Sequence, residues 1–242
     1  MHLDRLEVGQ ETGVKRTFVW AIDWPGWARA GKDPGLALEA LVAYAPRYGI
    51  VATVAGLDFP ATPGAVSAHD ADVVDAVAGG SGTDFGVPSA ITSADRRPTD
   101  AGDAARLARL VEAAWTVFDG IVAAAPAELR KGPRGGGRET ARLVDHVIGA
   151  DHAYAREIGI RLPEPSAADP TAVLAERRAM LDVLRRPSDG SPLADRRWTA
   201  RYAARRIAWH ALDHAWEVED RTEPATEDRT EPATEDGPGP PT

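Results

Sequence analysis

The chain has 242 residues, 43% of them hydrophobic, enough for two domains with substantial cores. It contains no cysteine, which excludes disulfide staples, thiolate metal sites and a cysteine nucleophile together. The net charge is −9, and no segment is basic overall: residues 1–102 carry 8 basic and 13 acidic side chains, residues 103–220 carry 18 of each, and residues 221–242 carry 2 and 6. A nucleic-acid partner is therefore not expected.

No run of apolar residues is long enough to span a bilayer, and residues 1–17 are charged rather than signal-like. These features predict a soluble, cytoplasmic protein without a membrane partner. Alternation of β-branched and aromatic residues over 16–23 predicts a strand that stops at a Trp24-Pro25-Gly26 turn. A helix follows, with Asp33 as its cap and Pro34 in its first turn, and Leu38, Leu41, Val42 and Ala45 recur at helical spacing up to Pro46. Residues 49–57 and 72–78 read as further strands. Residues 1–100 are thus expected to form a small α+β domain.

Asp23-Trp24-Pro25-Gly26, then Gly31, then Glu39-Ala40-Leu41 resembles the strand-turn-helix of HicB-like antitoxin domains over about thirty residues. The resemblance implies a fold, and only the weakest of three functional readings, an antitoxin-like regulator. Two glycine-containing segments in the same region carry no chemistry. Asp84-Phe85-Gly86 echoes a kinase motif without the accompanying catalytic loop and reads as a turn. The run Gly79-Gly80-Ser81-Gly82 lacks the lysine of a phosphate loop.

From residue 101 the pattern changes to helices, predicted at 103–124, 138–160, 169–186 and 199–219, with breaks at Pro126, 133–137, 163–165 and 187–192. Four such segments predict a helical bundle over 101–220. Arginine pairs at 177–178, 185–186, 196–197 and 205–206 interleave with acids and read as solvated helix faces. Residues 221–228 and 229–236 repeat one octapeptide ahead of a Gly-Pro-rich end, so 221–242 reads as a disordered tail.

The chemistry concentrates in His210-Ala-Leu-Asp-His214. Residues four apart on a helix present both imidazoles to one side, where both can reach one ion. By helical phase His210 and His214 share a sector with Ile207, Ala211 and Val218, while Tyr202, Trp209, Leu212 and Trp216 lie opposite. The aromatic face should pack on the N-terminal domain or on a second subunit, giving a homodimer through Trp209 and Trp216. A third ligand is expected from residues 138–160. There Leu143, Val147, Ala150, Tyr154 and Ile158 set the buried stripe, His146 flanks it, and His152 points nearly opposite, into solvent. Asp145, Asp213 and Glu217 are candidate orienting carboxylates that read more simply as solvated groups.

Residues 101–221 resemble the DinB-like superfamily, metal-binding four-helix bundles that include thiol-dependent transferases and mycothiol-dependent maleylpyruvate isomerases. The matching pieces are His146-Val147 in Asp145-His146-Val147, Asp151 five residues after that histidine, and the His210/His214 pair. The resemblance implies that His146, His210 and His214 hold a divalent metal, with zinc, nickel and iron all suited to imidazole. It also implies a small-molecule substrate or thiol as partner. After the pair the sequence reads Ala-Trp-Glu-Val where many members have Arg-Gly-Gln, which leaves the substrate side of the site open. Two functional classes follow. One is a transferase or isomerase using an exogenous thiol, the other a non-catalytic module that binds a metal or small molecule and contacts a protein through its N-terminal domain.

Overall fold

In the computed structural model, residues 6–59, 71–131 and 139–222 are described. Strand β1 (Leu6–Thr12) turns back through residues 13–16 into β2 (Thr17–Ala21), and the antiparallel pair runs from Val8 opposite Ala21 to Thr12 opposite Thr17. Gly9 faces Trp20 across this ladder, and a Cβ there would lie 2.4 Å from the indole, so only glycine lets the ring cross. Strand β3 (Ala28–Gly31) pairs antiparallel with β2, and β4 (Ala71–Ala78) pairs parallel with β1, giving the order β3-β2-β1-β4.

The predicted strand at 16–23 is β2 and that at 72–78 is β4, while β1 and β3 carry weaker alternation. All five residues of β2 are buried. Val19 and Ala21 join the main core on one face of the sheet; Phe18 and Trp20 pack on Trp209 from the other. The turn between β2 and β3 has Gly26 at φ +93°, and a Cβ there would fall 2.7 Å from Leu212 and 3.0 Å from Ala208. This glycine is required both by its left-handed backbone and by the closeness of the helix behind it.

Helix α1 (Pro34–Ala43) begins as expected: Asp33 accepts a hydrogen bond from the Leu36 amide at 2.9 Å, with proline in the first turn. Residues 45–54 form a second helix, α2 (Ala45–Val54), rather than the strand expected over 49–57. The β-branched run misled because its propensity difference amounts to only tenths of a kcal/mol per residue. Burial at helical spacing of Ala45, Tyr48, Val51, Ala52 and Ala55 outweighs it. Tyr48 stacks on Trp27 and donates to the Pro25 carbonyl at 2.8 Å, tying α2 to the turn. The glycine run and the kinase-like tripeptide form the short helix α3 (Ser81–Phe85) and its left-handed end at Gly86.

The four predicted bundle helices are α4 (Ala101–Ala124), α5 (Thr140–Glu157), α6 (Pro170–Leu184) and α7 (Ala200–Thr222). Helices α4 and α5 each pack on both α6 and α7. Asp100 and Asp169 cap α4 and α6, and Thr199 accepts from the Tyr202 amide at the start of α7. At the far end of α7, Arg130 donates to the backbone carbonyls of Asp220 and Arg221, satisfying groups the last turn leaves open. Among the described residues, no helix is long and apolar enough to cross a membrane. The repeat tail lies outside the described residues, apart from Arg221 and Thr222, which complete α7.

The protein is α+β, and one core cluster runs from Val8, Leu41 and Tyr48 through α4 to Leu143, Met180 and Val218. Helix α7 sits between bundle and sheet and is buried nearly all round. Trp209 and Trp216 are covered by the N-terminal elements of the same chain, at 4% and 2% exposure, so this face is not available to a second copy. Trp209 meets Phe18 edge-on, and Trp216 meets Tyr44.

Two arginines expected on solvated faces are buried instead. Arg205 makes a bidentate pair with Asp95 at 3.0 and 2.7 Å and lies over Trp20, fastening α7 to the N-terminal region. Arg177 pairs with Asp119 at 2.7 Å and lies over Trp115 inside the bundle. Their partners are distant in sequence, Asp95 buried and Asp119 exposed, so a count of charges along the chain does not find them.

Candidate metal centre

Helix α7 presents His210 and His214 one turn apart, and α5 brings His146 against them. The ring centroids are separated by 4.7 Å for His210 and His214, 5.1 Å for His146 and His210, and 4.9 Å for His146 and His214. One nitrogen from each ring lies within 4.8 Å of the others, so the three could hold a metal ion. Leu143 and Val147, buried on either side of His146, fix the rotation of α5 that makes this possible.

The three rings have different surroundings. His210 is buried against Tyr154, with centroids 5.6 Å apart, and its Nδ1 has no hydrogen-bond partner among the described residues. Burial first, then the neighbouring His214, His146 and Arg206, pushes its pKa down to about 2, so it stays neutral with a lone pair to donate. His214 is buried too, and its Nδ1 lies 2.8 Å from Glu217 Oε2, leaving Nε2 as its ligand atom. Glu217 is itself held by Arg221 at 3.0 Å. His146 is exposed, so the cluster has one side open to solvent. An orphaned, neutral nitrogen beside a carboxylate-oriented imidazole is a donor set that suits a divalent cation.

The carboxylates divide differently from expectation. Glu217 orients His214, and Asp213 is engaged by Arg29 at 3.1 Å, so neither is simply solvated; Asp145 is exposed. The signal for Glu217 was its place one turn after His214, the spacing at which a helical side chain reaches back.

His152 is also not where the sequence put it. It is buried, and its Nδ1 lies 2.7 Å from Glu176 Oε1 of α6. Asp151 beside it is buried near Arg177, 3.6 Å away, and burial raises its pKa to about 7 against the opposing pull of that guanidinium. Helix α5 has two buried flanks: one with Leu143, Val147 and Tyr154 lies along α7, while Asp151, His152 and Ala155 extend the buried surface around it. A single apolar stripe on the helical wheel missed the second. The facing dipeptides Asp151-His152 and Glu176-Arg177, complementary in charge, were the available sign of it.

Comparison of the chain with protein-family models, with curated proteins and with solved structures finds no match.

Proposed function

We propose that the protein binds one divalent metal ion through His146, His210 and His214 and uses it as a DinB-like transferase or isomerase acting with an exogenous low-molecular-weight thiol. The observation that carries the metal part is the convergence of three imidazoles, one nitrogen of each within 4.8 Å of the others. A closed structural zinc site takes four protein ligands, whereas three imidazoles leave room for a further ligand, and exposed His146 keeps that side reachable. When bound, such an ion supplies Lewis acidity that lowers the pKa of a thiol or water reaching it. The chain contributes the rest: Glu217 sets the tautomer of His214, burial keeps His210 neutral, and Tyr154 meets the His210 ring edge-on. With no cysteine of its own, the protein offers no competing thiolate, and any thiol chemistry draws its sulfur from a cosubstrate.

Metal analysis of purified protein tests the reading, with His210→Ala and His146→Ala alongside. About one ion per chain is expected in the wild type, with loss in both variants. Metal-free wild type, or variants that retain the ion fully, overturns the metal assignment. Cobalt-substituted protein titrated with a small thiol tests the second part: a sulfur-to-cobalt charge-transfer band supports it, and an unchanged spectrum removes the thiol while leaving a metal-binding module.

A further inference from the structure

A cleft of about 480 Å³ opens where the β1–β2 turn, β3, the end of α3 and helix α7 meet. Lys15, Arg16, Arg29 and Lys32 line it over Phe18, and Asp213 is its one acidic wall residue among the described residues. This concentration of cations runs against the acidic balance of residues 1–102, so the overall charge of the region does not account for it. Asp213 is already engaged by Arg29. Lys15, Arg16 and Lys32 form no side-chain ion pair among the described residues; the nearby Asp84 carboxylate accepts from the Lys15 backbone amide at 2.7 Å.

Two of the cations have defined surroundings. The Arg29 guanidinium lies 3.9 Å from the centre of the Tyr44 ring and 5.4 Å from that of Trp216, and it uses one nitrogen on Asp213. Its planar fork has five donors, so most of its hydrogen-bonding capacity is left. Arg16 lies against Gly86, where a Cβ would come 2.9 Å from its Nη1; the absence of a side chain gives the guanidinium its place. A guanidinium held by aromatic rings, beside a second guanidinium and two exposed ammonium groups, is what recognition of phosphate or carboxylate oxygens uses.

We propose that this cleft binds a small, multiply charged anion, a molecule carrying phosphate or paired carboxylate groups. A second cleft of about 660 Å³ shares Arg29 and Asp213 with the first and includes Glu217, the residue that orients His214. The two clefts therefore meet at Arg29 and Asp213, and the second touches the histidine cluster only through Glu217. In so far as the metal reading of those histidines holds, the anion site and two of the ligands share helix α7, through Asp213.

Calorimetric titration of the full chain at low ionic strength with inorganic phosphate, pyrophosphate and malonate tests this, with Arg16→Gln/Lys32→Gln as the variant and circular dichroism to verify its fold. Lys32 is exposed and Arg16 half-buried, and neither belongs to a core cluster. Saturable binding of at least one probe is expected with Kd below about 1 mM, weakened about tenfold or more in the folded variant. Tighter binding of pyrophosphate than malonate assigns phosphate; the reverse order assigns carboxylate. Absence of saturation with all three probes, or equal affinity in the variant, overturns the proposal. Repeating the titration on chelator-treated protein, with metal content measured in parallel, separates the two readings, because the cleft residues are not the metal ligands.

Discussion

Glu217 Oε2 lies 2.8 Å from Nδ1 of His214 and is fastened on its other oxygen by Arg221, so the imidazole is oriented whether or not an ion is present. Orienting carboxylates of this kind typically contribute 10- to 100-fold in metal affinity. Glu217→Gln should weaken divalent-metal binding by about that factor, with the fold intact, in a competition titration against a chromophoric chelator. Unchanged affinity would reduce Glu217 to a surface ion pair with Arg221.

Asp151 gives a pH dependence with a definite sign. Its folded pKa is raised to about 7 from an unbound value of 3.8. The folded state therefore holds a proton that the unfolded chain releases between those values, and its contribution to stability is lost as pH rises from about 4 to about 7. Relative to Asp151→Asn, the wild type should lose about 1 kcal/mol per pH unit across that window and nothing further above it. Urea unfolding of both proteins at several pH values measures the difference; a flat difference would show that Asp151 is ionised throughout.

The buried pair of Arg205 and Asp95 fastens α7 to the N-terminal region. Asp95→Ala leaves a guanidinium buried without its counter-charge and should cost about 3–5 kcal/mol. Denaturant unfolding checks this, and a loss below about 1 kcal/mol would mean that water replaces the carboxylate.

Gly26 combines a positive φ with close contacts to Leu212 and Ala208 of α7. Gly26→Ala should destabilise by about 2 kcal/mol or more, through backbone strain together with overpacking. A melting temperature equal to wild type would show that the turn relaxes away from the helix at no cost.

Much of the architecture was readable from local signals. Asp33 with Pro34, Asp100 and Asp169 mark helix starts because capping is chemistry between near neighbours, and the four bundle helices have apolar positions at regular spacing. The three histidines could be grouped because two share a helix face and the third flanks a buried stripe. What escaped depended on elements distant in sequence. Tyr48 and Val51 are helical because of Trp27 and the core behind them, and His152 is buried because Glu176 faces it. Arg205 leaves solvent because Asp95, more than a hundred residues earlier, is buried opposite it and Trp20 lies against its guanidinium. Pairings of polar groups across such separations leave no periodic trace.

Helix α7 contributes two of the three candidate ligands and is also the strut on which the sheet rests, through Trp209, Trp216 and Arg205. An ion joining α5 to α7 would therefore draw its cohesion from the whole chain and return it to the whole chain. Chelation should lower the melting of the sheet and of the bundle together, in a single cooperative transition, and protection of β2 amides against hydrogen exchange should rise and fall with metal occupancy.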